Sequence, residues 1–134
     1  MSKPDPRNEA TVAVRRSGLV GPVLSRVVGI LAARADAPVD RLDEVLLVSD
    51  AIAAHGPSHA VEDGVLRVLV QTTEQLLRLR VGPLAPDGGR SLLAAAELPG
   101  VGNIVERVAS DVTVEPDQDG REHLVILVPL TGRT

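Results

Sequence analysis

Residues 100 to 109 read Gly-Val-Gly-Asn-Ile-Val-Glu-Arg-Val-Ala, and this pattern predicts a helix that begins at a glycine pair. The apolar spacing that follows Gly100 and Gly102 continues to about Ser110. Backbone amides and the helix dipole at such an N-terminus are well suited to receive a phosphate group. The alternative is that the glycines simply turn the chain into the helix after Pro99.

A second stretch also predicts a helix, because residues 46 to 55 read Leu-Leu-Val-Ser-Asp-Ala-Ile-Ala-Ala-His. Asp50 and Ala54 are four residues apart and therefore share one face of that helix. A glycine pair at one helix N-terminus and a carboxylate on another helix outline a nucleotide pocket. In that interpretation Asp50 is a catalytic base; in the alternative it is a helix residue that faces solvent.

Length and composition indicate one globular domain, with 134 residues of which 44% are hydrophobic and 24% charged. The chain has no Phe, Tyr or Trp, so Leu, Val, Ile and Ala must build the core. The absence of cysteine excludes disulfides, thiol catalysis and zinc sites with cysteine ligands. His55 and His59 have a spacing that suits a metal on a helix, but Gly56-Pro57 interrupts the helix, so no metal site is predicted.

Charge and hydropathy argue against two kinds of partner. A net charge of −4 and the lack of aromatic residues disfavour nucleic acid, because phosphate binding needs a basic face and base stacking needs aromatic rings. No apolar run reaches membrane-spanning length, and the N-terminus lacks the apolar region of a signal peptide. We therefore expect a soluble cytoplasmic protein with neither nucleic acid nor a membrane as partner.

Hydrophobic periodicity and turn residues predict the element order β-α-α-β-β-α-α-β-β. Strands are predicted at residues 10–14, 65–71, 76–81, 112–115 and 122–130. Helices are predicted to begin at Gly21-Pro22, at an Asp40 N-cap, at residue 91 and at the glycine pair, with a loop at 82–90. Because helices come in pairs between hairpins, we expect an α/β two-layer sandwich: a mixed, mostly antiparallel sheet with helices on one face.

The apolar pattern also predicts the buried faces and the extent of the domain. One domain is expected at residues 10–130, between a disordered tail at 1–9 and a C-terminal tail at 131–134. The first helix is predicted to bury Val20, Val23, Leu24, Val27 and Leu31. The second is predicted to bury Leu42, Val45, Leu46, Ser49 and Ala53.

Arg78 and Arg80 alternate with apolar residues and are predicted on the opposite face of their strand from Leu77, Leu79 and Val81. That face either meets solvent or forms a basic patch that binds a protein partner. The last strand is apolar on both faces between residues 124 and 128. Such a strand is either central in the sheet or part of an interface with a partner or a second copy, and we favour the interface.

The order of elements and the Gly100-Val101-Gly102 helix resemble the GHKL fold, also called the histidine-kinase-like ATPase or Bergerat fold. More narrowly, residues 10–130 are similar to the small anti-sigma-factor serine kinases of bacteria. The resemblance implies a domain that uses ATP and Mg²⁺. It also implies a protein partner, either a sigma factor or an anti-anti-sigma-like protein.

Residues 48–54 match the family's catalytic helix, with Asp50 where the family usually has Glu and Ala54 where it has Asn. In the family, the acid polarises the attacking group and the Asn holds Mg²⁺. The i, i+4 spacing is kept here. An alanine methyl cannot coordinate Mg²⁺, which prefers oxygen ligands, so the resemblance implies a site without its metal ligand.

The family also has an adenine-reading Asp directly after the third strand, where residues 79–84 here read Leu-Arg-Val-Gly-Pro-Leu. The next acid is Asp87, several residues late. Gly100, Gly102 and Asn103 do match the family's phosphate-binding turn. A short apolar segment replaces the family's Gly-rich lid.

These matches and losses imply a non-catalytic or weakly nucleotide-binding regulator that acts by protein–protein binding in signalling or transcription control. No cofactor is expected for it. The alternative is an active serine protein kinase that phosphorylates an anti-anti-sigma-type partner with ATP and Mg²⁺. In the kinase, Asp50 would be the base and the Gly100/Gly102 turn would hold the phosphates.

Overall fold

A computed structural model of the chain describes residues 8–14, 20–61, 65–73 and 75–130. The helices are α1 (Val20–Arg34), α2 (Val39–His55), α3 (Gly88–Ala95) and α4 (Ile104–Val108), with a 3₁₀ turn at Gly56–His59. The strands are β1 (Asn8–Val14), β2 (Leu66–Thr72), β3 (Leu76–Leu84), β4 (Glu97–Leu98), β5 (Gly102–Asn103), β6 (Asp111–Pro116) and β7 (Glu122–Pro129). The predicted order is therefore confirmed, except that β4 and β5 add a small hairpin between α3 and α4.

Five strands form one sheet in the order β1-β2-β3-β7-β6, and β4 pairs with β5 separately. Each pairing between neighbouring strands of the five-stranded sheet is antiparallel. The prediction of an α/β fold with a mostly antiparallel sheet and helices is thus confirmed, and the parallel pairs that a mixed sheet would contain do not occur among the described strands. The central position of β7, between β3 and β6, explains why that strand is apolar on both faces.

The core lies between one face of the sheet and the helices. Strand β3 places Leu77, Leu79 and Val81 in it, fully buried, whereas Arg78 and Arg80 lie on the opposite, outer face. This alternation is the one that the sequence predicted. The core contains no aromatic ring and is filled by branched aliphatic side chains from the strands and all four helices, which suffice for close packing.

The buried faces of the first two helices differ in detail from the prediction. In α1 the core residues are Leu24, Val28, Leu31 and Ala32, whereas Val23 is 52% exposed; the predicted Val20 side chain lies outside what the structure describes. The predicted stripe was wrong at Val23 because the neighbouring α2 covers a different side of α1. In α2 the buried residues include Val45, Val48, Ser49 and Ile52. The buried Ser49 hydroxyl donates a hydrogen bond to the Leu46 carbonyl oxygen at 2.9 Å.

Several predicted boundaries were wrong. Strand β1 begins at Asn8, so residues 8 and 9 belong to the sheet; residues 1–7 and 131–134, also predicted as tails, lie outside the described residues. Helix α2 begins after Pro38, which leaves Asp40 in the first turn and not at the N-cap. The predicted loop at 82–90 instead contains the end of β3 and the start of α3, and α3 ends at Ala95.

Candidate functional site

Asp50 lies on the exposed side of α2, where its carboxylate is bound to the neighbouring helix. The Ser25 hydroxyl of α1 donates a hydrogen bond to Asp50 Oδ1 at 2.6 Å. Ser25 Oγ also lies 3.4 Å from Ser49 Oγ. The predicted acid is therefore part of a contact between α1 and α2. Ser25 was not among the predicted site residues, although a lone serine in the apolar pattern of α1 was a signal that this position faces something polar.

Ala54 is exposed one turn after Asp50 on the same helix. Both residues thus lie on the side of α2 opposite the buried Val48 and Ile52, as their spacing predicts. Ala54 brings only a methyl group to this surface, so it offers no ligand for a cation.

Gly100 and Gly102 do not begin a helix. Both have positive φ angles, 76° and 96°, and they form the turn and the second strand of the β4–β5 hairpin, in which Leu98 pairs with Gly102. The predicted helix to Ser110 was wrong; α4 begins at Ile104 and has only five residues. Positive φ is the reason for glycine here, because other residues rarely adopt it. A Cβ at either position would meet nothing within 4 Å, so the backbone there is open.

Asn103 serves as the N-cap of α4. Its Oδ1 accepts a hydrogen bond from the Glu106 amide at 3.1 Å, and its Nδ2 donates to the Leu93 carbonyl of α3 at 2.6 Å. The two ends of this side chain therefore connect α4 to α3. The Arg107 guanidinium of α4 donates a further hydrogen bond to the Val101 carbonyl oxygen in the glycine turn, at 2.9 Å.

The N-terminus of α3 is occupied by a carboxylate of the protein itself. Glu122, at the start of β7, accepts hydrogen bonds from the Gly89 amide through Oε1, at 3.0 Å, and from the Asp87 amide through Oε2, at 3.2 Å. Asp87 has a left-handed φ of 64°, which directs the chain into α3. A carboxylate at a helix N-terminus is favoured by the helix dipole. Sequence patterns gave no signal for this contact, because the residues are 33 and 35 positions apart.

Arg78 and Arg80 lie on the outer face of the sheet, as predicted, and both have protein partners. Arg78 donates to Gln71 on β2 at 2.9 Å, and Arg80 forms an ion pair with Glu115 on β6 at 3.4 Å. Val125 of β7 lies next to Arg80 in the sheet register and is only 7% exposed. The outer face is therefore a layer of long polar side chains over an apolar centre.

His123 is a titratable group near this face that was not among the predicted site residues. Burial lowers the pKa of its imidazole below the usual 6.5, and the Arg80 charge lowers it further, whereas Asp117 and Glu115 act in the opposite direction. The ring lies against Gly82, where an added Cβ would come within 2.5 Å of His123 Cδ2. The close approach of β7 to β3 thus requires glycine at position 82.

Within residues 8–14, 20–61, 65–73 and 75–130, no three or more His, Cys, Asp or Glu side chains are grouped so that they could hold a metal ion. The helices in these same ranges include none with the length and apolar character needed to cross a membrane.

The predicted residues thus lie in two local arrangements, the Ser25–Asp50 contact and the glycine hairpin with its Asn103 cap, and the structure adds the Glu122 carboxylate at α3, which was not predicted. Each of these has its own hydrogen-bond partners within the chain. No protein-family model matches this chain, and a search of curated protein sequences finds no match either.

Proposed function

We propose that this chain is a non-catalytic regulator that acts by binding another protein, built on a frame related to the Bergerat fold of the anti-sigma-factor kinases. The helix pair between β1 and β2 and the two hairpins that follow support that relationship. The order of elements is the one on which the resemblance rests. The proposed partner is a sigma factor or an anti-anti-sigma-like protein.

The observation that carries the proposal is that backbone amides at the N-termini of α3 and α4 already donate hydrogen bonds to side chains of the protein itself. The Asp87 and Gly89 amides of α3 bind the Glu122 carboxylate, and the Glu106 amide of α4 binds Asn103. A nucleotide phosphate would have to compete with these groups for the same donors. Binding of phosphate by backbone amides needs such donors to be unoccupied.

The residues on α2 support the same conclusion. Ala54 supplies no oxygen for Mg²⁺, and the Asp50 carboxylate accepts the Ser25 hydroxyl. A carboxylate that serves as base must reach the proton that it removes. Here the hydrogen bond between Ser25 and the Asp50 carboxylate would first have to break.

Isothermal titration of ATP and ADP with Mg²⁺ into the purified protein tests the absence of nucleotide use. The protein concentration is measured by amide absorbance, because the chain has no aromatic residue. We expect no binding heat up to millimolar nucleotide. Micromolar binding would overturn the proposal and favour the kinase, in which Asp50→Ala should then abolish phosphate transfer.

Ala54→Asn is the matched variant, because it restores the amide oxygen that the resembled kinases place at this position. If the α2 surface is still part of a nucleotide pocket, the variant should bind Mg²⁺-nucleotide more tightly than the wild type. We expect both proteins to give no heat, since Asn103 and Glu122 still occupy the helix N-termini. Tighter binding by the variant would contradict that expectation.

Protein binding is tested by cross-linking in cells of the source organism, identification of the cross-linked protein, and titration of that purified protein into this one. The double variant Arg78→Glu, Arg80→Glu reverses charge on the outer face, and Arg90→Glu, Arg107→Glu does so elsewhere on the surface. We expect only the first to lose binding. Equal binding by all three proteins would exclude the outer face as the partner site.

A further inference from the structure

Two aspartates in the described part of the chain precede a glycine, and they lie in very different surroundings. Asp87 leads into Gly88 at the start of α3, and Asp119 leads into Gly120 in the turn between β6 and β7. An aspartate side chain can react with the backbone amide of the next residue. Glycine obstructs this reaction least, because it has no Cβ. The freedom of that amide therefore decides which aspartate reacts.

The Asp119–Gly120 pair lies in an open turn. Both residues are exposed, and a Cβ added at Gly120 would meet nothing within 4 Å. The Gly120 amide donates to the Asp117 carbonyl at 3.3 Å, which is longer than the roughly 2.7–3.2 Å of an ordinary N–H···O hydrogen bond. The peptide group between Asp119 and Gly120 can therefore rotate with little obstruction, as is typical of loop tips.

The side chain of Asp119 is free as well. Its carboxyl group makes neither a hydrogen bond nor an ion pair with any residue that the structure describes. By contrast, Asp117 Oδ1 accepts hydrogen bonds from the amides of Asp119 and Arg121, at 2.8 and 3.1 Å. Asp117 thus holds the turn, and Asp119 keeps a free carboxyl group beside a weakly bound amide.

The Asp87–Gly88 pair has the same residue types in closed surroundings. Gly88 is buried, and its amide donates to the Ala85 carbonyl at 2.7 Å. A Cβ added at Gly88 would lie only 2.9 Å from Leu84 Cβ. Rotation of this peptide group would have to break a short hydrogen bond and separate the start of α3 from the end of β3.

We propose that Asp119 is a modification site of this protein, at which the main chain isomerises to isoaspartate without an enzyme. The Gly120 nitrogen attacks Asp119 Cγ and forms a C–N bond. One carboxyl oxygen leaves as water, with the amide proton and one proton from the carboxyl group or the solvent. The proposal does not depend on the proposed function.

The product of this first step is a five-membered cyclic imide, which water then opens. Opening at Cγ restores aspartate. Opening at the main-chain carbonyl carbon breaks the original C–N bond and gives isoaspartate, in which the peptide link runs through Cγ. One water is released and one is taken up, so the mass of the protein is unchanged and neither an oxidant nor a reductant is needed.

Isomerisation changes the turn that leads into β7. The main chain becomes one methylene longer between Asp119 and Gly120, whereas the present turn is closed by a 2.8 Å hydrogen bond from the Asp117 amide to the Arg121 carbonyl. Arg121 directly precedes Glu122, whose carboxylate binds the amides at the start of α3. We therefore expect the isomerised protein to have a lower Tm than the freshly purified protein.

The experiment is incubation of the purified, folded protein at neutral pH and physiological temperature, with samples taken over several weeks. Trypsin separates the two aspartate–glycine pairs into the peptides 81–90 and 108–121, because each peptide follows an arginine and ends at one. Isoaspartate splits a peptide into two chromatographic peaks of equal mass, and electron-transfer fragmentation identifies the modified residue. We expect the second peak in peptide 108–121, at Asp119.

A comparison of folded and unfolded protein isolates the contribution of the structure. In the folded protein, isomerisation at Asp119 should be more than about tenfold faster than at Asp87, because Asp87 reacts only after local opening at α3. In guanidinium chloride the two rates should become similar, since the same residue pair is then unrestrained at both positions.

Asp119→Glu is the matched variant. It keeps the carboxylate, but its reaction would require a six-membered ring, which forms far more slowly. Peptide 108–121 of this variant should therefore remain a single peak over the same time. Circular dichroism checks that the variant is folded.

Three results would overturn the proposal. The first is a folded protein in which Asp119 stays unmodified or reacts no faster than Asp87. The second is an unfolded chain in which Asp87 remains slower by the same factor, because the difference would then not come from the fold. The third is a second peak of peptide 108–121 that persists in Asp119→Glu.

Discussion

Glu122 Oε1 accepts a hydrogen bond from the Gly89 amide at 3.0 Å, and this contact joins the first residue of β7 to the first turn of α3. The second carboxylate oxygen accepts the Asp87 amide at 3.2 Å. A single side chain thus fixes where α3 begins. The same side chain fills the position that an anion would take at that helix.

Glu122→Gln should lower the free energy of unfolding by about 1 kcal/mol. A Gln side chain can accept only one of the two amide hydrogens, and it carries no charge to interact with the dipole of α3. Urea unfolding followed by circular dichroism measures this, because the chain lacks aromatic fluorescence.

Glu115→Gln is the matched control for Glu122→Gln. This variant breaks the ion pair between Glu115 and Arg80, whose side chains are 46% and 39% exposed, respectively. An exposed ion pair contributes only about 0.5 kcal/mol to stability. An equal or larger loss from Glu115→Gln would contradict the role of Glu122 at α3.

Asn103→Ala should cost about 1–2 kcal/mol, since it removes an N-cap and also the hydrogen bond to the Leu93 carbonyl. Asn103→Ser keeps a capping oxygen for the Glu106 amide and loses only the reach to Leu93. We therefore expect Ser to recover part of the loss in the same urea experiment. If the Asn103→Ala and Asn103→Ser variants are equally destabilised, the capping hydrogen bond contributes nothing to stability.

Gly82→Ala should destabilise the protein by about 1–3 kcal/mol, as is usual for overpacking. The added Cβ would lie 2.5 Å from His123 Cδ2 and 2.9 Å from the Glu122 carbonyl oxygen, which belongs to the backbone and cannot easily move. Thermal unfolding measures the change in Tm.

Gly29→Ala is the matched control, because position 29 has room for the added methyl group. The new Cβ would lie 3.6 Å from Leu46 Cδ2, in ordinary contact, within α1. Alanine is favoured over glycine in a helix by about 1 kcal/mol, so this variant should be as stable as the wild type or more so. A loss at Gly29 equal to that at Gly82 would show that the effect does not come from crowding.

Because of His123, the free energy of unfolding should decrease as the pH falls below about 6.5, the ordinary pKa of histidine. Burial and Arg80 hold its pKa in the folded protein below 6.5, so the unfolded chain binds a proton first as the pH falls. The contribution is fully present above pH 6.5, and it is lost as the pH falls through the folded pKa. Urea unfolding at pH 7.5 and at mildly acid pH should give a smaller decrease for His123→Gln than for the wild type. Equal decreases would exclude His123 as the source.

Local pattern predicted much of the fold. The alternation of Leu77, Leu79 and Val81 with Arg78 and Arg80 identified both the strand and its buried face, because side-chain direction in a strand repeats every two residues. The order of elements and the final hairpin were found in the same way. These features depend on residues close in sequence, which is the information that periodicity contains.

The tertiary structure decided the candidate site. Gly100 and Gly102 fit either a helix start or a turn, and the sequence left both open. Contacts with α3 and the residue that follows it select the turn: Asn103 binds Leu93, and the Ile104 amide donates to the Ala96 carbonyl at 3.2 Å.

The same division holds for the rest of the chain. The sequence by itself determined the order of strands and helices, the core without aromatic residues, and an Ala54 without a metal-binding oxygen. Only the tertiary structure decided that β7 is central, that Glu122 occupies the N-terminus of α3, and that Ser25 binds Asp50. The physical reason is that a hydrogen bond between residues 25 or 33 positions apart depends on how whole elements pack, whereas periodicity reports only the direction of side chains within one element.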